Sequence, residues 1–129
     1  MNTENGGCFL VVEDALDMQL LIRVTLSADS RLRFCGAAVN STDAIALAQD
    51  MGRGVIILDH FMEGQIMGLR AAPLLKAVAP DMPIILFTSH DLAIEASREP
   101  AIDAYLRKGD IKNLLPTALR LLGIDPSTN

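Results

Sequence analysis

Aromatic side chains are scarce in this chain, at 4% of 129 residues, with no Trp and a single Tyr. Aliphatic side chains must therefore fill its core, which suits a parallel sheet covered by helices on both faces. Positive charge is short as well: 11 Lys and Arg stand against 16 Asp and Glu, a net charge of −5. A polyanion is repelled by such a chain unless its cations cluster, and they do not, so no direct nucleic-acid partner is expected. No apolar run approaches the ~18 residues of a membrane span. The opening Met1-Asn2-Thr3-Glu4 lacks the basic stretch and apolar run of a signal peptide, so no membrane partner and a cytoplasmic location are expected. Cysteine is limited to Cys8 and Cys35, both in segments that read as strands. They are expected as buried thiols rather than as a disulfide.

Half of the residues are apolar and 21% are charged, enough for one sizeable core and, at this length, one domain. That domain is expected over 8–123, with 1–7 and 124–129 as loose termini. Strand-like and helix-like segments alternate. Residues 8–13 form a short apolar run ending in acid, and Asp14 is placed to cap a helix carrying Met18, Leu21, Ile22 and Leu26. A second strand over 33–39 leads into a helix capped within 40–43 and ending near Met51. Val55-Ile56-Ile57-Leu58-Asp59 is the clearest strand. A Gly-bearing loop, a helix from about Leu69 to Val78, a strand over 83–88 and a short helix over 91–98 follow. A fifth strand over 104–107 and a helix over 111–122 complete five strand–helix units, which predict an α/β fold with right-handed crossovers.

Polar residues fall at one end of these strands. The first strand ends in Glu13-Asp14, the third in Asp59, the fourth in Thr88-Ser89 and the fifth in Lys108. Open parallel sheets bind ligands outside the carboxyl ends of their strands. Three carboxylates gathered there repel one another, and a hard divalent cation relieves this. Oxygen ligands without suitably spaced Cys or His point to Mg²⁺ rather than zinc. Lys108 supplies a compact positive charge and Thr88 a hydroxyl, both suited to phosphoryl oxygens.

These residues give the chain a resemblance to the response regulator receiver domain, over roughly Phe9 to Leu122. It is carried by Phe-Leu-Val-Val-Glu-Asp at 9–14, Ile-Ile-Leu-Asp at 56–59 with Met62 beyond, Leu-Phe-Thr-Ser at 86–89 and Tyr-Leu-Arg-Lys at 105–108. The resemblance implies a flavodoxin-like, doubly wound five-stranded sheet of order 2-1-3-4-5 flanked by five helices. It implies Asp59 as the phosphoacceptor, charged by a sensor histidine kinase or a histidine phosphotransfer protein. Asp14 and Asp59 would bind Mg²⁺ directly, Glu13 through water, and Phe61 through its backbone carbonyl. Thr88 and Tyr105 would be the switch pair. The face of the fourth helix, fifth strand and fifth helix would then address an output domain or a second copy. The domain is expected to be a signalling module with self-catalysed phosphotransfer and dephosphorylation, not an enzyme that turns over a substrate.

The chain departs from the family pattern in places. Glu63 stands where Pro is usual, and Gly68 lies one residue later than its counterpart. Gly109 replaces the usual Pro after Lys108, so a trans bond is expected there. The Thr88–Lys108 interval is short, which alters the region of the fourth helix. The resemblance implies that Phe61 and His90 flank the phosphoryl site and tune access of the attacking water; a surface imidazole with no role is the competing reading of His90. Two other readings compete. A receiver-like module that binds partners without accepting phosphate has the same fold. An aspartate-nucleophile hydrolase would carry a second Asp where Phe61 stands. A dinucleotide site is excluded, because Glu13-Asp14-Ala15-Leu16-Asp17 occupies the place of a Gly-rich turn.

Overall fold

A computed structural model describes residues 6–61 and 67–127. Five strands alternate with five helices: β1 (Gly7–Val12), α1 (Leu16–Ser27), β2 (Leu32–Ala38), α2 (Ser41–Asp50), β3 (Gly54–Leu58), α3 (Gly68–Val78), β4 (Ile84–Thr88), α4 (Ala93–Ser97), β5 (Ala104–Arg107) and α5 (Leu114–Leu121). The strands pair in parallel in the order β2-β1-β3-β4-β5, as the resemblance implied. Sequence order reverses between β1 and β3, so the crevice at their carboxyl ends is the expected ligand position.

Strand alternation divides the core into two layers. Leu10, Val12, Ile56, Leu58, Ile84 and Leu86 pack with Ala44 and Ala48 of α2 and with Ala72 and Leu75 of α3. Their neighbours Phe9, Val11, Val55, Ile57, Ile85 and Phe87 pack against Ile22 and Leu26 of α1 and against Leu114, Ala118 and Leu119 of α5. The inner strands are buried along their whole length, which explains their unbroken apolar runs. On edge strand β2, burial alternates instead.

Several local expectations shift. Ala15, not Asp14, is the N-cap of α1, and it makes no side-chain cap bond. The Ala15 N–H instead donates to Glu13 Oε2 at 3.1 Å, so Glu13 takes the local role expected of Asp14. Asn40 does cap α2, accepting from Asp43 N–H at 2.8 Å. The last helical segment is broken, because a 3₁₀ turn spans Lys108–Asn113 before α5 begins. No peptide bond is cis among the described residues, and Lys108–Gly109 is trans.

The cysteines correct the sequence expectation of free buried thiols. Cys8 and Cys35 form a disulfide, with Cα atoms 5.6 Å apart, well within bridging range. Cys8 is buried, but Cys35 is exposed on β2. A bulge explains the meeting: Phe9 pairs with Phe34 and Leu10 with Gly36, leaving Cys35 as the extra residue. Gly36 beside it has φ 151°, a backbone geometry natural to glycine.

At the amino-terminal edge of the sheet, Arg53 donates to the carbonyls of Gly6 (2.8 Å) and Leu122. Ile124 is buried and its N–H donates to Leu119 O, so packing continues one residue past the expected domain boundary. No described helix is long and apolar enough to cross a membrane.

Candidate functional site

Strand ends deliver the polar groups to one crevice. β1 passes directly into Glu13, whose N–H donates to Ala38 O on β2. The Asp59 N–H donates to Val12 O on β1, which continues the ladder one residue beyond β3. Glu13 and Asp59 are both buried. Ligand oxygens of Glu13, Asp14 and Asp59 lie within 4.8 Å of one another. Three hard oxygen donors, two of them on buried residues, fit a small divalent cation.

Lys108 is the counter-charge. Its Nζ lies 2.6 Å from Glu13 Oε1 and 3.2 Å from Asp59 Oδ2. Burial pushes the Glu13 carboxyl above its usual range, and the Asp59 charge adds to this, while hydrogen bonds from Lys108 and Ala15 oppose it. Burial alone would lower the Lys108 ammonium, but contacts with Glu13 and Asp59 outweigh it and leave its pKa raised. The lysine therefore stays charged at neutral pH.

Thr88 is fully buried at the end of β4, and its Oγ1 accepts from His90 N–H at 3.3 Å. The Tyr105 hydroxyl donates to His90 O at 2.8 Å and accepts from Leu92 N–H at 3.0 Å. Both backbone polar groups of His90 are thus held, the N–H by Thr88 and the carbonyl by Tyr105. The His90 ring packs at 4.2 Å on Phe61, so the two expected flanking residues do meet. Met62 and Glu63 lie outside the described residues.

Sequence reasoning missed His60. It is buried, its N–H donates to Asp59 Oδ1 at 2.8 Å, and its Nδ1 accepts from Leu69 N–H at 3.2 Å. Burial pushes its imidazole pKa down, which favours the neutral form that can accept at Nδ1. Gly68 was noted only for its spacing. A Cβ there would lie 2.8 Å from His60 Cα and 2.9 Å from the Asp59 carbonyl carbon, so only glycine lets α3 start this close to Asp59.

Known proteins place the arrangement. The family model of the response regulator receiver domain matches residues 9–120. The response regulator domain of Thermotoga maritima CheB superposes with TM-score 0.80 at 20% identity, over 94% of this chain and 99% of that one. Thermotoga maritima TrrA, solved with Mg²⁺ and a beryllium fluoride, gives 0.78 at 25% identity, over 89% and 98%. RcsB of Salmonella enterica serovar Typhimurium, solved on a promoter with the phosphomimetic BeF₃⁻, gives 0.77 at 21% identity, over 92% of this chain and 60% of that one. No curated protein matches the sequence significantly. With the five-stranded parallel sheet, the acidic crevice and a family match over most of its length, the chain belongs to the response regulator receiver domains of two-component signalling.

Proposed function

We propose that this domain accepts a phosphoryl group on Asp59 from a phosphohistidine of a sensor kinase or phosphotransfer protein, in a Mg²⁺-dependent reaction. The observation that carries this reading is the pairing of Asp59 Oδ2 with Lys108 Nζ at 3.2 Å inside a three-carboxylate crevice. Glu13, Asp14 and Asp59, with the Phe61 carbonyl, would hold Mg²⁺, which when bound neutralises charge on the phosphoryl oxygens.

The chain's own groups supply positioning and charge. The His60 N–H fixes Asp59 Oδ1, which leaves Oδ2 beside Lys108 to attack phosphorus. An O–P bond forms as the P–N bond to the donor imidazole breaks, and the leaving imidazole takes up a proton. The transition state is loose, so alignment and charge neutralisation are what such a site contributes. Lys108 meets the charge on an equatorial oxygen. The Thr88 hydroxyl accepts from His90 N–H and keeps its own proton to donate to the phosphoryl group.

Signalling follows from the shared residue His90. A shift of Thr88 toward the phosphoryl oxygens loosens its hold on the His90 N–H. Tyr105, bonded to the His90 carbonyl, then responds, and the α4–β5–α5 face changes for an output domain or a second copy. The similar RcsB was solved bound to a promoter and extends beyond the part this chain matches, which supports an output domain joined to the receiver. The donor approaches past the start of α1, where Leu16 and Leu20 are exposed and offer an apolar rim. A cytoplasmic location fits this role.

Intact-mass spectrometry after incubation with acetyl phosphate and Mg²⁺ tests the assignment. The wild type is expected to gain one phosphoryl group and Asp59→Asn none. Absence of any gain with acetyl phosphate or phosphohistidine donors would instead favour a phosphate-independent binding module.

A further inference from the structure

Four contacts converge on His60. Its N–H holds Asp59 Oδ1, its carbonyl accepts from Gly68 N–H at 2.8 Å, and its Nδ1 accepts from Leu69 N–H. Its ring meets Phe61 edge-on, with centroids 4.5 Å apart. The first amides of a helix need partners from outside it. The N-cap of α3, Met67, makes no side-chain bond. His60 therefore serves α3 as a cap from the end of another strand, through one backbone and one side-chain acceptor.

The geometry points to His60 as a positioning residue for phosphoryl transfer: its imidazole ties the start of α3 to the His60 peptide, and that peptide's N–H sets the rotation of the Asp59 carboxylate. The inference rests on Asp59 being the acceptor. A carboxylate held at Oδ1 presents Oδ2 in one direction, toward Lys108. Released, it rotates about its Cβ–Cγ bond and spends less time aligned for attack, and small misplacements of a nucleophile are costly. The His60 side chain meets the Leu69 N–H and the Phe61 ring, so it acts through the backbone and not on the reacting atoms.

Two substitutions separate the acceptor from the ring. His60→Phe keeps an aromatic edge for Phe61 but offers Leu69 N–H nothing, whereas Asn in the same place has an oxygen near the position of Nδ1. With acetyl phosphate and saturating Mg²⁺, His60→Phe is expected to lower the maximal rate of phosphoryl uptake about tenfold while KM stays within about twofold. His60→Asn is expected to recover most of that rate. A wild-type rate in His60→Phe would overturn the proposal, and so would a His60→Asn variant as slow as His60→Phe. If the wild type itself takes up no phosphoryl group, it is the Asp59 reading that fails. Hydrogen exchange of the Leu69 amide then reads the cap directly: protection in wild type and His60→Asn but not in His60→Phe supports it, and an unprotected wild-type amide refutes it.

Discussion

Gly68 shows how closely Asp59, the proposed acceptor, is packed from behind. Because a Cβ at 68 would press on the backbone of Asp59 and His60, Gly68→Ala forces the start of α3 away from the strand. Such overpacking costs about 1–3 kcal/mol, and urea unfolding should show a loss in that range. Phosphoryl uptake should fall further than stability alone explains, because the displaced backbone carries the acceptor. Asp59, Glu13, Asp14, Thr88 and Lys108 were legible in the sequence for a common reason: each follows or ends an apolar run, and parallel strands bring such ends together. His60 was not legible, because its partner lies nine residues away in sequence and a histidine after a strand has no local signature. The exchange of roles between Asp14 and Glu13 at the start of α1 was hidden for a similar reason. Both are good acceptors, and only the β1 path decides which carboxylate reaches the Ala15 amide.

Among the elements, β2 was the least predictable. Its strand character could be read, but not the bulge at Cys35, since one inserted residue leaves no mark on composition. The same holds for the 3₁₀ turn before α5, where an amphipathic pattern runs unbroken through a change of helix type. The disulfide joins residues 27 apart in sequence and fastens the edge strand to its neighbour. Closing a loop of that size stabilises a fold by about 2–4 kcal/mol, mainly by restricting the unfolded chain. Urea unfolding with and without dithiothreitol should differ by that amount, and Cys35→Ser should be insensitive to the reductant. A reducing compartment would favour the open dithiol, and β2 would then be held by its pairing with β1 and by the packing of Leu32, Phe34 and Ala38 in the core.

Two buried acids, Asp29 and Glu13, are shifted in opposite directions at the two ends of the sheet. Near the start of β2, the Asp29 carboxylate is held below its usual range, chiefly by hydrogen bonds from Arg31. Its stabilising effect is present above the unfolded value of about 3.9 and is lost as pH falls through the lower folded value. Glu13 is shifted up, so its favourable contribution is full below about 4.3 and is lost as pH rises through the folded value. Without a cation, Glu13 should therefore contribute a decline in stability toward neutrality, while the lowered His60 imidazole works against it by costing stability on the acid side. Mg²⁺ should lift the neutral side by mass action, and Glu13→Gln should remove much of that neutral decline. Urea midpoints measured across this pH range, with and without Mg²⁺, check both; a Mg²⁺-independent profile would count against the crevice as a cation site. The Arg53 contacts matter at the same scale. By holding the carbonyls of Gly6 and Leu122, this side chain gathers both ends of the fold at the edge of the sheet remote from Asp59. A fluorescent tag or fused protein joined next to Gly6 or Leu122 thus departs from the far pole of the domain, and the Asp59 pole stays sterically open.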